Sequence, residues 1–409
     1  MKYFATFASL REAIRLAKRG YGVTSPNPIV GAVLVKGGKI IGRGWHRRAG
    51  LPHAEIEALD DAQKHGHNPK GATLYVTLEP CSTHGRTPPC TDAIIAAGIK
   101  QVVVGATDPN PKHSGRAFKI LRRAGIKVVS FGVPRLRGKA NVTQSSRLKA
   151  ELQALSDKCA QLNEAFNHWI VRRMPFVTVK AAMTLDGKIA TVSGESKWIT
   201  GEKARAYGMK LRQGTDAILV GINTILADDP SLTFRYVQGP KSKVQSPKQL
   251  RRIILDSLAR TPLTAKVVSD KFAALTTIVV SKQAPKKRVA ALAKYVNVVA
   301  APSKKSAIRN PQSQIELRWL LKKLGSENVT SLLVEGGGEV NASFLLSGLA
   351  QRVVFFYAPK ILGGHDSRKA VAGEGARNLT EALQLCEVEW EKIGDDLLMT
   401  ALVANSAKR

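Results

Sequence analysis

The segment from Pro52 to Cys90 leaves this chain little choice. It reads Pro52-His53-Ala54-Glu55, then about two dozen residues, then Pro80-Cys81, eight more residues and Cys90. One imidazole and two thiolates form a ligand set for zinc. Three protein ligands keep a fourth position for water, which is the catalytic rather than the structural arrangement. Glu55 lies two residues past His53, free of the metal and placed to shuttle protons beside it. The plainer readings are a zinc knuckle or ordinary core cysteines. A knuckle needs a fourth ligand, and His84 is the nearby candidate.

The neighbouring sequence supports the catalytic arrangement. Residues 72–78 read as a buried strand ending at Pro80. Pro88-Pro89-Cys90 opens a helix over 93–97, since proline suits a first helical turn. Cys90 is then near a helix N-terminus, where the dipole favours its thiolate. His-x-Glu followed by Pro-Cys and a further Cys resembles the signature of zinc-dependent nucleobase deaminases, here with a longer loop between the cysteines.

With 409 residues the chain is long enough for two domains with their own cores. A hydrophobic share of 44% fits a soluble globular protein, and no apolar run approaches a membrane span. The first twenty residues carry charges at helical spacing and lack a secretory pattern, so the expected location is cytoplasmic. Cys159 and Cys386 stand apart and read as buried thiols rather than a disulfide. The net charge is +32, and Lys112 to Lys149 holds eleven Lys or Arg with no Asp or Glu. A second basic stretch covers 241–252. Nucleic-acid contact is one reading. Only Phe118 and Phe131 fall in the first stretch, too few for base stacking, so a solvated basic surface on a protein with phosphate-bearing substrates is preferred.

Apolar spacing predicts a helix over 9–19, a hairpin of strands 29–36 and 39–44, strands 72–78, 101–106 and 127–131, and a helix over 115–124. Strands alternating with helices imply a layered α/β domain over 1–150. Asn27 and His46 flank the zinc motif and suit a pocket for a polar heterocycle, although either could be a turn or surface residue. Asp108-Pro109-Asn110-Pro111 follows a strand end and reads as a turn able to hold a sugar. Residues 151–174 read as linker and helix. A second α/β domain follows over 175–409, with strands at 176–183, 217–221, 252–255, 276–280, 296–300, 331–334, 353–358 and 397–403, and helices at 202–211 and 313–324. Its clearest local feature is Val334-Glu335-Gly336-Gly337-Gly338, set before a helix at 342–346. Glycines there let backbone N–H groups close on a phosphate; a Rossmann fingerprint is absent.

Taken in order, these motifs closely resemble the bifunctional deaminase/reductase family of riboflavin biosynthesis. The likeness rests on Pro26-Asn27-Pro28, Gly44-Trp45-His46, the two zinc motifs and Asp108 to Pro111. In the second half it rests on Leu185-Asp186-Gly187, Gly194 to Thr200, Asp216 to Gly221, Leu226 to Thr233 and the glycine run. The resemblance implies a cytidine-deaminase-like α/β/α sandwich followed by a dihydrofolate-reductase-like α/β domain, with one zinc per chain and NADPH. The substrates it implies are pyrimidine ribosyl phosphates, deaminated on the ring and then reduced in the sugar. Family positions map onto Glu55 as the catalytic residue, His53, Cys81 and Cys90 as ligands, and Asn27 and His46 as substrate contacts. In the reductase they map onto Ser196, Arg212, Leu232, Arg235 and Glu335 for substrate. Ala182, Trp198, Thr224, Asp228, Ser257 and the run Gly337, Gly338, Glu339, Val340, Asn341, Ala342, Ser343 map onto the cofactor site. Lys180 is a further polar candidate near the reacting sugar.

Three places depart from the family pattern: Thr83 follows Cys-Ser where many members have histidine, Met209 replaces a histidine, and the stretch 134–154 is long and basic. Two rival functions remain on sequence grounds, a deaminase of nucleic acid and a zinc-stabilised RNA-binding protein. A complete His53, Glu55, Cys81, Cys90 set opposes the second, and a reductase domain opposes the first. No membrane or nucleic-acid partner is expected, and a homo-oligomer is left open.

Overall fold

The computed structural model describes residues 2–84, 88–111, 113–130, 144–234, 249–302 and 315–404. Two compact units, Met1–Arg173 and Met174–Arg409, divide the chain. No helix among the described residues is long and apolar enough to cross a membrane.

The first unit runs α1 (Lys2–Ala17), β1 (Gly31–Lys36), β2 (Lys39–Trp45), α2 (Ala54–Lys64), β3 (Thr73–Leu78), α3 (Cys90–Ala96), β4 (Gln101–Ala106), α4 (Arg116–Arg123), β5 (Lys127–Ser130), α5 (Gln144–Gln161) and α6 (Glu164–Arg172). Its sheet has the order β2-β1-β3-β4-β5. The β1–β2 and β1–β3 pairs are antiparallel, and β3, β4 and β5 are parallel. Strand alternation sends side chains to two faces. Leu74, Val76, Val102 and Val104 pack with Ala58 and Leu59 of α2, Ile94 of α3 and Leu121 of α4. Tyr75 and Val103 pack with Leu10 and Ile14 of α1 and Leu155 and Cys159 of α5. Helices on both faces make the α/β/α sandwich.

Two glycines set how closely the layers approach. A Cβ on Gly31 would lie 2.0 Å from the Ala13 carbonyl oxygen, and one on Gly44 would lie 2.2 Å from the Ala54 carbonyl oxygen. The second contact seats the first turn of α2, and therefore Glu55, directly on β2. One expectation needs correction here. The stretch 151–174 was read as linker and helix outside the first domain, yet Leu155 and Cys159 are buried in its core. Asn163 ties in the same way, with its side chain accepting from Ile29 N–H and donating to Ile29 C=O. Apolar spacing alone shows a helix here but not which core its stripe enters.

The second unit runs β6 (Phe176–Thr184), β7 (Lys188–Ala190), α7 (Glu202–Gln213), β8 (Ala217–Gly221), α8 (Ile222–Asp228), β9 (Arg251–Leu255), α9 (Lys266–Ser269), β10 (Thr276–Val280), α10 (Lys286–Leu292), β11 (Asn297–Ala300), α11 (Leu317–Ser326), β12 (Ser331–Val334), α12 (Gly338–Leu346), β13 (Arg352–Ala358), β14 (Arg368–Lys369), β15 (Leu385–Ile393) and β16 (Asp396–Val403). The large sheet has the order β11-β10-β9-β8-β12-β6-β13-β16-β15. It is parallel from β11 to β13 and antiparallel from β13 to β15. One core joins Leu219, Ile253 and Val334 to Leu320, Leu324 and Phe344 of α11 and α12. The other joins Ile218, Val220 and Ile254 to Ile225, Val267 and Leu292 of α8, α9 and α10. Several elements differ from the sequence reading, which left out the short β7, α8, α9, α10 and β14. The helix after the glycines begins at Gly338, four residues earlier than expected, and β15 was not anticipated because nearly all its side chains are exposed. The expected start of the helix at 313–324 falls outside the described residues; α11 begins at Leu317.

Candidate active sites

In the first unit the ligand atoms of His53, Cys81 and Cys90 lie within 4.8 Å of one another. His53 Nδ1 is 3.3 Å from Cys90 Sγ and 3.5 Å from Cys81 Sγ. Two ligands holding one zinc tetrahedrally, at about 2.0 and 2.3 Å, are themselves about 3.5 Å apart. The side chains present therefore fit the ion. They are brought together by three element ends: His53 is the N-cap of α2, Cys81 follows β3 and Cys90 is the first residue of α3. His84 is exposed and outside the converging set, so the fourth-ligand reading is not supported.

Charge is already organised for a cation. The Cys90 backbone N–H donates to Cys81 Sγ at 3.2 Å. Hydrogen bonding from the Cys90 thiol, then from His53, brings the Cys81 thiol down to about 4. Cys90 is driven the other way by its hydrogen bond to Cys81 and by burial. A bound metal deprotonates both. Glu55 is 3% exposed. Burial, then the Cys81 thiolate, pushes its carboxyl up to about 7, and His53 opposes them. A carboxyl near neutrality both takes and gives protons.

Asn27 and His46 meet beside the ligands. His46 Nδ1 donates to the Pro52 carbonyl at 3.1 Å. Burial lowers the His46 pKa, so the ring is neutral and Nε2 accepts from Asn27 Nδ2 at 3.1 Å. That bond orients the amide and leaves its carbonyl oxygen for a ligand. The His46 and His53 rings meet edge to face, 5.2 Å apart. The sequence reading passed over Glu79. This carboxylate accepts from the backbone N–H groups of Asp108, Gly115 and Ala117. It thereby holds the Asp108–Asn110 turn beside the metal ligands. An acidic residue closing an apolar strand immediately before Pro-Cys was the available signal.

In the second unit Arg212 and Glu335 form a two-pronged pair, Nε to Oε1 and Nη2 to Oε2, both at 2.9 Å. Arg212 Nη1 also donates to the Thr233 carbonyl at 3.0 Å. Lys180 Nζ lies 3.8 Å from Glu335. Burial would raise the Glu335 pKa, but the charges of Arg212 and Lys180 prevail and hold it at about 2. Arg212, mapped onto the substrate site by the resemblance, has its fork committed to Glu335 and the Thr233 carbonyl. Leu232 is 3% exposed and packs in the core, with positive φ, so only its backbone can meet a ligand. Ser196 Oγ lies 3.4 Å from Asp228 Oδ1. Trp198 is 67% exposed with the Arg205 guanidinium 4.6 Å over its ring. Arg235 falls outside the described residues.

Ala182 stands opposite Phe356 across β6 and β13. The glycine run caps α12 with Gly337, and nothing lies within 4 Å of a Cβ built there. Open space over a helix N-terminus suits the pyrophosphate of a dinucleotide. A Cβ on Gly336, by contrast, would press on Val340 at 2.5 Å. Within the run Asn341 and Ala342 are buried. Asn341 Nδ2 donates to Ala370 C=O, and its Oδ1 is buried without a partner. Ser343 Oγ donates to Glu339 C=O. Gly337 thus borders open space, Gly338 packs closely against Lys369 and Ala372, and Asn341 and Ala342 hold the turn in place. Thr224 and Ser257 stand where β8 and β9 end.

The profile of the cytidine and deoxycytidylate deaminase zinc-binding region matches residues 7–106, and that of the RibD C-terminal domain matches residues 175–399. The riboflavin biosynthesis protein RibD of Aquifex aeolicus is 41% identical over 95% of this chain and 96% of its own. The chain belongs to the RibD family. Among solved structures, Acinetobacter baumannii RibD superposes with TM-score 0.80 at 32% identity, covering 98% of this chain and 100% of that one. The deaminase/reductase of Thermotoga maritima gives 0.77 at 33% identity, covering 99% and 100%. Like other RibD proteins, this chain is a bifunctional enzyme of riboflavin biosynthesis. It pairs a zinc-dependent deaminase with an NADPH-dependent reductase.

Proposed function

We propose that Glu55, His53, Cys81 and Cys90 carry hydrolytic deamination of 2,5-diamino-6-ribosylamino-4(3H)-pyrimidinone 5′-phosphate, and that the second unit then reduces the ribosyl chain to ribityl. The observation that carries the first half is the convergence of three ligand atoms around a space flanked by a buried, near-neutral carboxyl. Bound there, zinc supplies the acidity that makes hydroxide available from water near neutral pH. Glu55 would take one proton from water and pass it to the ring nitrogen as hydroxide adds to the ring carbon, then carry the second proton from the new hydroxyl to the amine, which leaves as ammonia. The free carbonyl of Asn27, oriented by neutral His46, holds a donor on the pyrimidine. The Asp108–Asn110 turn, braced by Glu79, is placed for the sugar.

In the second unit NADPH supplies the hydride. Gly337 and Gly338 receive its pyrophosphate, and Trp198, Asp228, Thr224 and Ser257 contact its other parts. Ser196, Lys180 and the Arg212–Glu335 pair face the sugar, with Lys180 the nearest proton-bearing group on the strand. Arg235, mapped onto the substrate site by the resemblance, is assigned the substrate phosphate, since a guanidinium binds phosphate by paired hydrogen bonds. Arg235→Ala is expected to raise KM for the sugar phosphate about thirtyfold or more and leave that for NADPH unchanged.

The purified chain, given the pyrimidine phosphate, should release one ammonia per substrate without NADPH. With NADPH present, oxidation of the dinucleotide should follow ammonia release. NADPH oxidation before any ammonia appears would reverse the proposed order. The partner is a small-molecule pyrimidine; on the same reading the basic surface serves phosphate-bearing ligands in the cytoplasm rather than nucleic acid.

A further inference from the structure

In a parallel α/β sheet, ligands bind beyond the carboxyl ends of the strands. Strands β8, β9 and β10 are neighbours there, ending at Gly221, Leu255 and Val280. The turn that follows β9 is braced unusually well. Asp256 is buried, and its Oδ2 accepts from both the N–H and the Oγ1 of Thr261 at 2.7 Å. Ala259 N–H donates to the Asp256 carbonyl, and Ala259 is buried with φ of 53°. The Ser257 carbonyl accepts from the N–H and Oγ of Ser281 after β10. A buried residue at positive φ persists only where its surroundings over-determine it. The outcome of this bracing is to present two exposed side chains, Leu258 and Arg260, of which only Arg260 carries charge.

Arg260 Nη2 donates to Asn223 Oδ1 at 3.1 Å. Asn223 adjoins Thr224, and Arg260 shares the turn with Ser257. The partner is a neutral amide oxygen, so the bond fixes the guanidinium without cancelling its charge. Most of the fork stays available for an oxyanion. NADPH differs from NADH by one phosphate on the adenosine ribose, a dianion that a fixed guanidinium recognises through paired hydrogen bonds.

We propose that Arg260 binds the 2′-phosphate of NADPH and sets the preference of the reductase for NADPH over NADH. Asn223 is a positioning residue for it. The inference rests on the placement of the cofactor beside Thr224, Ser257 and Gly337.

The test is binding, measured on the zinc-loaded full chain. NADPH and NADH are titrated by nicotinamide fluorescence, and 2′,5′-ADP and 5′-ADP by calorimetry. Arg260→Ala should weaken NADPH about ten- to a hundredfold, leave NADH within about twofold, and abolish the advantage of 2′,5′-ADP over 5′-ADP. Arg260→Lys should recover part of it. Equal weakening of NADPH and NADH, or an unchanged ratio, overturns the assignment. So does a loss of preference in Lys282→Ala, the neighbouring exposed cation after β10, with none in Arg260→Ala. Gly337→Val reports on the cofactor site itself and should weaken both dinucleotides alike. If it changes neither, the cofactor placement fails; if it weakens both while Arg260→Ala leaves the ratio intact, only the role of Arg260 fails.

Discussion

Glu335 and Arg212 are largely withdrawn from water together, their side chains 13% and 15% exposed, and each is tolerated there because of the other. Removing one partner of such a pair strands a buried charge, at a cost of about 3–5 kcal/mol. Glu335→Ala should lower unfolding stability by that order, read from the denaturant midpoint; a loss under about 1 kcal/mol would show that Arg212 finds solvent or another partner. The pair also gives a pH signature. The folded pKa of Glu335, about 2, lies below the ordinary 4.5. Its stabilisation is therefore complete above pH 4.5 and is lost as pH falls from 4.5 towards 2. Wild type should lose its advantage over Glu335→Ala across that window. Equal slopes for both proteins would contradict the assigned ionisation. The pair also shows what sequence leaves out at this scale. The zinc ligands were legible because metal chemistry restricts residue type and spacing. That Arg212 spends its fork on Glu335, 123 positions away, is set by β8, β12 and the end of α7 meeting in space.

At the scale of elements, apolar periodicity located most strands, since buried parallel strands are continuous apolar runs. It failed where burial gives no pattern. In β15 the side chains point mainly to solvent, and in α5 the helix was legible from its apolar spacing but not the domain core it packs into. The start of α12 at Gly338 was hidden because glycine is a poor helix former; its place there follows from close packing, a Cβ on Gly338 meeting the Lys369 carbonyl oxygen at 2.3 Å. Close approach also makes the β2–α2 contact sensitive. Gly44→Val would drive a side chain into the backbone of α2 and shift the turn carrying His53 and Glu55. The expected cost is about 1–3 kcal/mol in stability, with zinc content reduced in the folded protein. Thermal unfolding together with metal analysis checks this. Full zinc content at unchanged stability would mean that the helix seat is looser than the contact implies.

For the whole molecule, each compact unit has its own two-faced core and its own constellation of functional groups. The division was readable from the change in composition, but the boundary was misplaced, because α5 and α6 belong to the first unit. The net charge of +32 bears on binding partners and not on fold. Two separate constellations imply two separable chemistries on one chain. Glu55→Gln tests this most directly, because it removes a proton carrier and leaves every zinc ligand and the entire second unit in place. The measurement is made on one preparation: zinc per chain, ammonia released from the pyrimidine phosphate, and NADPH-dependent reduction of supplied deaminated substrate. The account predicts one zinc per chain, ammonia release abolished and reduction retained; loss of zinc, or loss of reduction in a folded variant, would contradict it.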